Sequence, residues 1–212
     1  MTLPVLISAG ATRNPIDAIR YISAFSTGRT GVAIAEALSE TGPVTLLGSA
    51  EACLRATASP TLSLQEYRST RDLMQQMLSF IQANPRAIVV HAAAVGDYEI
   101  ADGGQGKIPS GSDELILRFT PTPKIVDHLR AESAAIRLVS FKAAAPDTTD
   151  AQLVSIASRQ RARTTSDLVF ANVIGRLSSR VLLLGEQPTW HETRTGALTG
   201  LIEALQQWQS DR

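Results

Sequence analysis

Close to the start of the chain, Ile7 to Gly31 read ISAGATRNPIDAIRYISAFSTGRTG. Ser8, Gly10 and Thr12 stand directly behind an apolar run, where backbone N–H groups can converge on an anion. The later STGRTG, residues 26 to 31, places hydroxyls (Ser26, Thr27), a glycine turn (Gly28) and the start of a helix together at Arg29 to Gly31. A helix N-terminus offers unpaired N–H groups and partial positive charge to phosphate. Arg13, Arg20 and Arg29 add cations. The spacing is neither G-x-G-x-x-G nor G-x-x-x-x-G-K-[ST], so neither a dinucleotide fingerprint nor a P-loop is present here. The competing reading is an ordinary turn with Ser26 or Thr27 as helix cap.

Four further segments carry chemistry-bearing residues. In VVHAAAVGDYEI, Val89 to Ile100, small side chains at Ala93 and Ala94 let a ligand approach the backbone. Asp97 then stands where it can hold a metal, accept from a hydroxyl or simply make a turn. His91 lies inside the apolar run and reads as a core histidine. In GGQGKIPSGS, Gly103 to Ser112, Lys107 sits in a glycine-flanked loop. That suits a lid closing a cation over phosphates, or a solvated lysine on a loop tip. TPTPKIVDHL, Thr120 to Leu129, offers the amides of Pro123-Lys124-Ile125-Val126 at a helix start. In VSFKAAAP, Val139 to Pro146, Phe141 can stack on a base or pack in the core.

The elements that must position these groups alternate. Strands are expected at Leu3–Ile7, Val44–Leu47, Ala87–Val90, Ile136–Phe141 and Asp167–Ala171. Helices are expected at Gly31–Leu38, Arg71–Gln82, Pro123 to about Arg130, Asp150–Arg163 and Thr195–Trp208. Glu114–Phe119 reads as a hairpin arm, and Val181–Leu184 with the segment near Trp190 as a terminal hairpin. Residues 50–68 read as an irregular polar excursion. The alternation predicts an α/β, doubly wound, mostly parallel sheet. In that architecture ligands sit at the carboxyl ends of the strands, which is where the chemistry-bearing residues fall.

The 212 residues suffice for a single domain, 1–212, with a sizeable core. Formal net charge is zero, so no strong field draws nucleic acid or an anionic membrane. No apolar run approaches the ~20 residues that span a bilayer, and no signal-type stretch opens the chain. A cytoplasmic protein is expected. The single cysteine, Cys53, excludes an internal disulfide and reads as an incidental thiol. A short-chain dehydrogenase is a weaker reading because none of Tyr21, Tyr67 and Tyr98 has lysine four residues on, and a methyltransferase rests on fold alone.

Taken in order, these segments resemble the phosphopantothenoylcysteine synthetase family, which joins 4′-phosphopantothenate to cysteine in coenzyme A biosynthesis. The opening resembles that family's I-T-A-G-x-T-R-E-P-I-D-x-V-R-Y-I-S-N-x-S-S-G-K-x-G. AAAVGDY is similar to A-A-V-A-D-Y, GKIPS to K-I-K-S, TPKIV to N-P-D-I-V, SFKAAA to G-F-x-A-E-T, and DLVFANVIG to D-x-I-V-A-N-D. The likeness runs from about residue 5 to 175.

The resemblance implies a Rossmann-like fold with a flap or hairpin dimerisation element. It implies CTP or ATP as co-substrate with Mg²⁺, an acyl-nucleotidylate, and release of pyrophosphate before cysteine takes the acyl group. Gly10, Ser26, Gly28, Arg29 and Gly31 would line the triphosphate. Asp97 would hold nucleotide or metal, and Lys107 would meet developing phosphate charge. Pro123, Lys124, Ile125 and Val126 would contact the nucleotide and Phe141 its base. Ala93, Ala94 and Asp97 would border the pantothenate arm. Arg20 would reach the substrate across the interface of a homodimer. Many bacterial relatives carry a flavin decarboxylase domain; a chain opening on the synthetase signature is expected to need no flavin. Departures from the pattern are Ala24 for asparagine, Arg29 for lysine, Ala144 and Ala145 for Glu-Thr, Gln160 and Thr164 for lysines, and Val173 for aspartate. They motivate two alternatives, a relative acting on another carboxylate and a non-catalytic nucleotide-binding or scaffolding protein.

Overall fold

The computed structural model describes residues 2–101, 106–111, 113–175 and 180–210. Gly103, Gly104, Gln105 and Ser112 of the lysine loop lie outside them.

The first strand, β1 (Val5–Ala9), is buried along its whole length and runs parallel to β4 (Val44–Gly48) on one side and β6 (Ile88–His91) on the other. Between β1 and β4 lie a small antiparallel hairpin, β2 (Arg13–Pro15) with β3 (Tyr21–Ser23), and helix α1 (Arg29–Ser39). After β4 come α2 (Ala50–Arg55), β5 (Leu62–Glu66) and α3 (Thr70–Ala83). After β6 a second hairpin, β7 (Tyr98–Ile100) with β8 (Phe119–Pro121), precedes α4 (Ile125–Glu132). Then follow β9 (Arg137–Ala144), α5 (Asp150–Thr164), β10 (Leu168–Val173), β11 (Val181–Leu184), β12 (Pro188–His191) and α6 (Arg194–Ser210).

The main sheet has eight strands in the order β12-β11-β10-β9-β6-β1-β4-β5. Counting only its six parallel strands, this is the order 3-2-1-4-5-6 of a Rossmann sheet, and its switch point lies between β1 and β6. The terminal β11–β12 hairpin adds antiparallel to β10. The expected fold is thus present, and the reason lies in the strands: runs such as Val5-Leu6-Ile7 and Ile88-Val89-Val90 are apolar on both faces because both faces are covered. Val5, Ile7, Ile88, Val90 and Phe170 pack under α1 and α6. Leu6, Val89 and Leu138 pack under α3 and α4, and Val169 and Ala171 under α5. Each fully buried aliphatic side chain contributes roughly 2 kcal/mol.

Three sequence expectations are corrected. Residues 50–68 are not irregular: they hold α2 and the parallel edge strand β5. The strand escapes periodicity because only Leu62 is buried in it. The helix expected from Pro123 begins at Ile125, with Lys124 at its N-cap. Of the arm expected at Glu114–Phe119, only Phe119 is in a strand.

Candidate nucleotide site at the carboxyl rim

The carboxyl ends of β1 and β6 define the switch-point crevice. Gly10 follows β1 with φ 92, and a Cβ there would sit 2.2 Å from Ser49 Oγ. Gly28, at the N-cap of α1, has φ 73, and its Cβ would lie 2.6 Å from Ala52 Cβ and 3.2 Å from the Gly10 nitrogen. Both positions therefore demand glycine for conformation and space alike. The result is a backbone-on-backbone corner, Gly10 against Gly28, with buried Gly31 packed on Ala9 one turn into α1.

Helix capping separates the elements of this chain. Ser49, Ser69 and Thr149 cap α2, α3 and α5 with their own side chains, and Thr193 Oγ1 accepts from Gly196 at the start of α6. Helices α1 and α4 have no side-chain cap. The expected alternative of Ser26 or Thr27 capping α1 is thereby corrected: among the described residues Ser26 Oγ accepts only from the Gly28 amide, at 3.3 Å, ahead of the helix. The two helices whose first amides keep no side-chain acceptor are the two whose N-termini the sequence assigns to a ligand.

The loop after β6 is held to this corner. The Ala94 amide donates to Gly10 O at 2.8 Å and the Ala93 amide to Ser8 Oγ at 3.2 Å. Ser8 Oγ also lies 2.8 Å from His91 Nδ1. His91 is buried, and desolvation pushes it down to about 4, so it is neutral at pH 7 and serves the core as expected. Farther along, Thr12 Oγ1 accepts from the Gly96 amide (2.8 Å) and Thr122 Oγ1 donates to Gly96 O (2.6 Å). Asn14 Nδ2 donates to Tyr98 O at 2.8 Å. This polar scaffold presents Asp97, which is exposed and ion-paired with Lys124. Asp97, Pro123 and Lys124 therefore form one group. Ile125 is buried in the core beneath them, and Val126 packs against the same cluster.

Arg20 and Lys107 sit together on a different support. Arg20 Nη1 bonds Asp17 Oδ2 at 2.5 Å and reaches Ile108 O at 3.4 Å. Arg29 and Lys107 are exposed. Phe141 is half-buried and stacks on Phe170, with ring centroids 4.7 Å apart.

Arg194 was missed by sequence reasoning. Its guanidinium lies over the Phe170 ring at 5.1 Å and donates from Nη2 to Thr30 Oγ1 at 2.9 Å and from Nη1 to Asn172 Oδ1 at 3.4 Å. Among the described residues no carboxylate pairs with it, and burial lowers its pKa. It ties α6 to the STGRTG segment and the Phe141–Phe170 stack, across a sequence separation of 164 that no local pattern reveals.

Three of the departures from the family pattern, Ala144, Gln160 and Thr164, have local explanations; nothing in the structure explains Ala24. Ala144 is buried among Leu153, Ala157, Val169 and Ala171, where a glutamate would be desolvated. Gln160 Nε2 bonds Ser140 Oγ (2.9 Å) and Phe141 O (3.2 Å), and Thr164 Oγ1 bonds Gln160 O (2.8 Å). Both have become a buried seam between α5 and β9. Cations flank it instead: Lys142, Arg159 and Arg163 line a cavity of about 440 Å³ with Gln160, and Arg163 pairs with Asp127. A larger cleft of about 680 Å³ borders the β2–β3 hairpin and includes Arg20. Cys53 is half-buried, with its thiol pKa pushed up by burial, consistent with a bystander.

Residues 2–182 match the family described as the DNA/pantothenate metabolism flavoprotein C-terminal domain. The chain is 38% identical over 188 residues to the coenzyme A biosynthesis bifunctional protein CoaBC of Thermococcus kodakarensis, covering 85% of this chain and 44% of that one. It is 30% identical to the CoaBC protein of Escherichia coli K12, covering 82% of this chain and 42% of that one. The chain thus spans under half the length of these curated relatives. Among solved structures, the DNA/pantothenate metabolism flavoprotein from Streptococcus pneumoniae superimposes with a TM-score of 0.86 at 27% identity, covering 98% of this chain and 100% of that one.

Proposed function

Because the chain belongs to the phosphopantothenoylcysteine synthetase family, we propose that it is a phosphopantothenate–cysteine ligase of coenzyme A biosynthesis. The observation that carries the reading is the uncapped N-terminus of α1, packed through Gly28 onto Gly10 at the switch point of the sheet. That corner offers amide hydrogens and a helix dipole to a polyphosphate at the place where such sheets hold nucleotides.

In the proposed reaction a carboxylate oxygen of 4′-phosphopantothenate attacks the α-phosphorus of CTP or ATP. The bond from that phosphorus to the bridging oxygen breaks and pyrophosphate leaves. The cysteine amine then attacks the acyl carbon, loses a proton and displaces the nucleoside monophosphate. The steps are redox-neutral, so no flavin takes part. The protein's work is alignment and charge neutralisation. Gly10, Ser26, Gly28, Arg29 and Gly31 would cradle the triphosphate. Lys107 would approach it from the flap. Phe141, backed by Phe170, would face the base, and Ala93 and Ala94 would leave room for the pantothenate arm. Lys142, Arg159 and Arg163 would take the place of the lysines replaced by Gln160 and Thr164.

Mg²⁺ would supply further neutralisation of the phosphates. Among the described residues no group of three His, Cys, Asp or Glu could hold an ion by itself. Asp97 fits a Mg²⁺ held mainly by phosphate oxygens, which needs one or two carboxylates. Its partner Lys124 would then turn to the nucleotide.

A second copy of the chain is the proposed partner. Ile19 (62% exposed), Tyr21 (49%) and Phe25 (97%) stand around the β2–β3 hairpin, and Tyr98 and Ile116 are also exposed, which is more apolar surface than two short hairpins need. A cytoplasmic setting belongs to the same proposal.

The test is incubation with Mg²⁺, CTP or ATP, 4′-phosphopantothenate and cysteine, measuring pyrophosphate and the amide. Equimolar formation of both is expected. Pyrophosphate released only with a different acid would redirect the reading to another carboxylate. Nucleotide binding without turnover would leave a non-catalytic binding protein.

A further inference from the structure

Asp17 lies in the turn of the β2–β3 hairpin with its side chain buried, 1% exposed. Oδ1 accepts from the amides of Ile19 (2.9 Å) and Arg20 (2.7 Å), closing the turn on itself. Oδ2 faces the other way. It accepts from Arg20 Nη1 at 2.5 Å and from the amide of Ile108 at 3.0 Å, 91 residues along the chain. The same junction is closed by the Ala18 amide donating to Gly106 O at 3.0 Å and by Arg20 reaching Ile108 O. The residues so gripped, Gly106 and Ile108, are the two that flank Lys107.

The geometry points to Asp17 as the positioning residue of Lys107: one carboxylate locks the hairpin turn with one oxygen and the base of the flap with the other. The inference rests on the ligase reading for what Lys107 does, but the docking itself does not depend on it. A lysine is a flexible point charge, and its usefulness toward a phosphate depends on how firmly its backbone is held. Four donors converge on Asp17, one of them cationic, so the lock is charge-assisted. The Ile19 amide bond, with those from Ile108 and Arg20 and the nearby guanidinium, holds the carboxyl down to about 2, so it is ionised throughout the working pH range. Because Arg20 completes the same lock, the two cations of the predicted site share one anchor.

Asp17→Asn separates the two halves of the device. The amide oxygen can still close the Ile19–Arg20 turn, whereas its NH₂ cannot accept from Ile108. Ile108→Pro removes the donor and leaves Asp17 and its turn intact. Hydrogen–deuterium exchange of peptides covering residues 106–111 is measured in wild type and both variants, together with turnover of Asp17→Asn, Lys107→Ala and the double variant. Exchange in 106–111 is expected to speed up by about tenfold or more in both single variants, with peptides from β1 and β6 unchanged. Turnover of Asp17→Asn should fall toward that of Lys107→Ala, and the double variant should be no slower than Lys107→Ala alone. Unaltered exchange at 106–111 in either variant, or losses that multiply in the double variant, would overturn the assignment. If no acid supports turnover even in wild type, the ligase reading fails, and the exchange result still decides the docking.

Discussion

Lys107 and Asp97 are the side chains on which the proposed chemistry leans most directly, and both are exposed, so removing either costs the fold little. Lys107→Ala and Asp97→Ala are expected to lower turnover by about 10²–10³-fold with a nearly unchanged melting temperature, since an exposed ion pair such as Asp97–Lys124 contributes only about 0–1 kcal/mol. Stopped turnover assays with thermal unfolding check both halves of that statement, and wild-type rates would remove these residues from the site. His91 behaves oppositely. Its folded pKa of about 4 lies below the 6.5 of the free imidazole, so the unfolded chain binds a proton that the native one refuses. Stability is therefore complete above pH 6.5 and declines as pH falls toward 4, by on the order of 3 kcal/mol in all, a slope that His91→Gln should flatten in urea titrations. The sequence made Asp97 and Lys107 visible through their glycine- and alanine-rich surroundings. Asp17 offered no such signal, because a buried carboxylate holding one amide 91 residues away looks like any other turn residue in sequence.

The glycine corner works at the level of whole elements, since Gly28 decides how closely α1 can approach β1 and α2. Alanine there adds left-handed strain of about 1–2 kcal/mol and drives its Cβ to 2.6 Å from that of Ala52. Gly28→Ala is expected to lose about 2 kcal/mol or more of stability and to weaken CTP or ATP binding, measured by denaturant unfolding and calorimetry. Arg194 joins three elements, α6, the start of α1 and β10. Arg194→Met keeps apolar contact with Phe170 but removes the cation, so nucleotide affinity should drop about tenfold while the melting temperature moves by only a few degrees. Equal affinity would confine Arg194 to a structural role. Strands buried on both faces, such as β1 and β6, were legible because their apolar runs had no other use. The three-residue strands of the two hairpins were not, being too short for any period, and β5 was hidden by its polar, exposed side chains. Gln160 and Thr164 show a third kind of blindness: a motif marks them as replaced cations, and only packing reveals a buried seam with Arg159 and Arg163 to either side.

At the scale of the molecule, six strands paired in parallel and the terminal β11–β12 hairpin form a single sheet, and the helices cover both of its faces. One cooperative unfolding transition for residues 1–212 is the expected calorimetric signature of one folding unit. Light scattering should give a dimer mass, and Phe25→Asp together with Tyr21→Asp should shift it to monomer. No helix among the described residues is long and apolar enough to cross a membrane. In the proposed reaction a polyphosphate held at the α1–β1 corner is attacked at its α-phosphorus by a carboxylate. The most direct measurement supplies 4′-phosphopantothenate labelled with ¹⁸O in its carboxylate and follows the label by mass spectrometry. One ¹⁸O is expected in the nucleoside monophosphate for every amide formed, whereas label in inorganic phosphate, or amide formed with no label transferred, would contradict that attack.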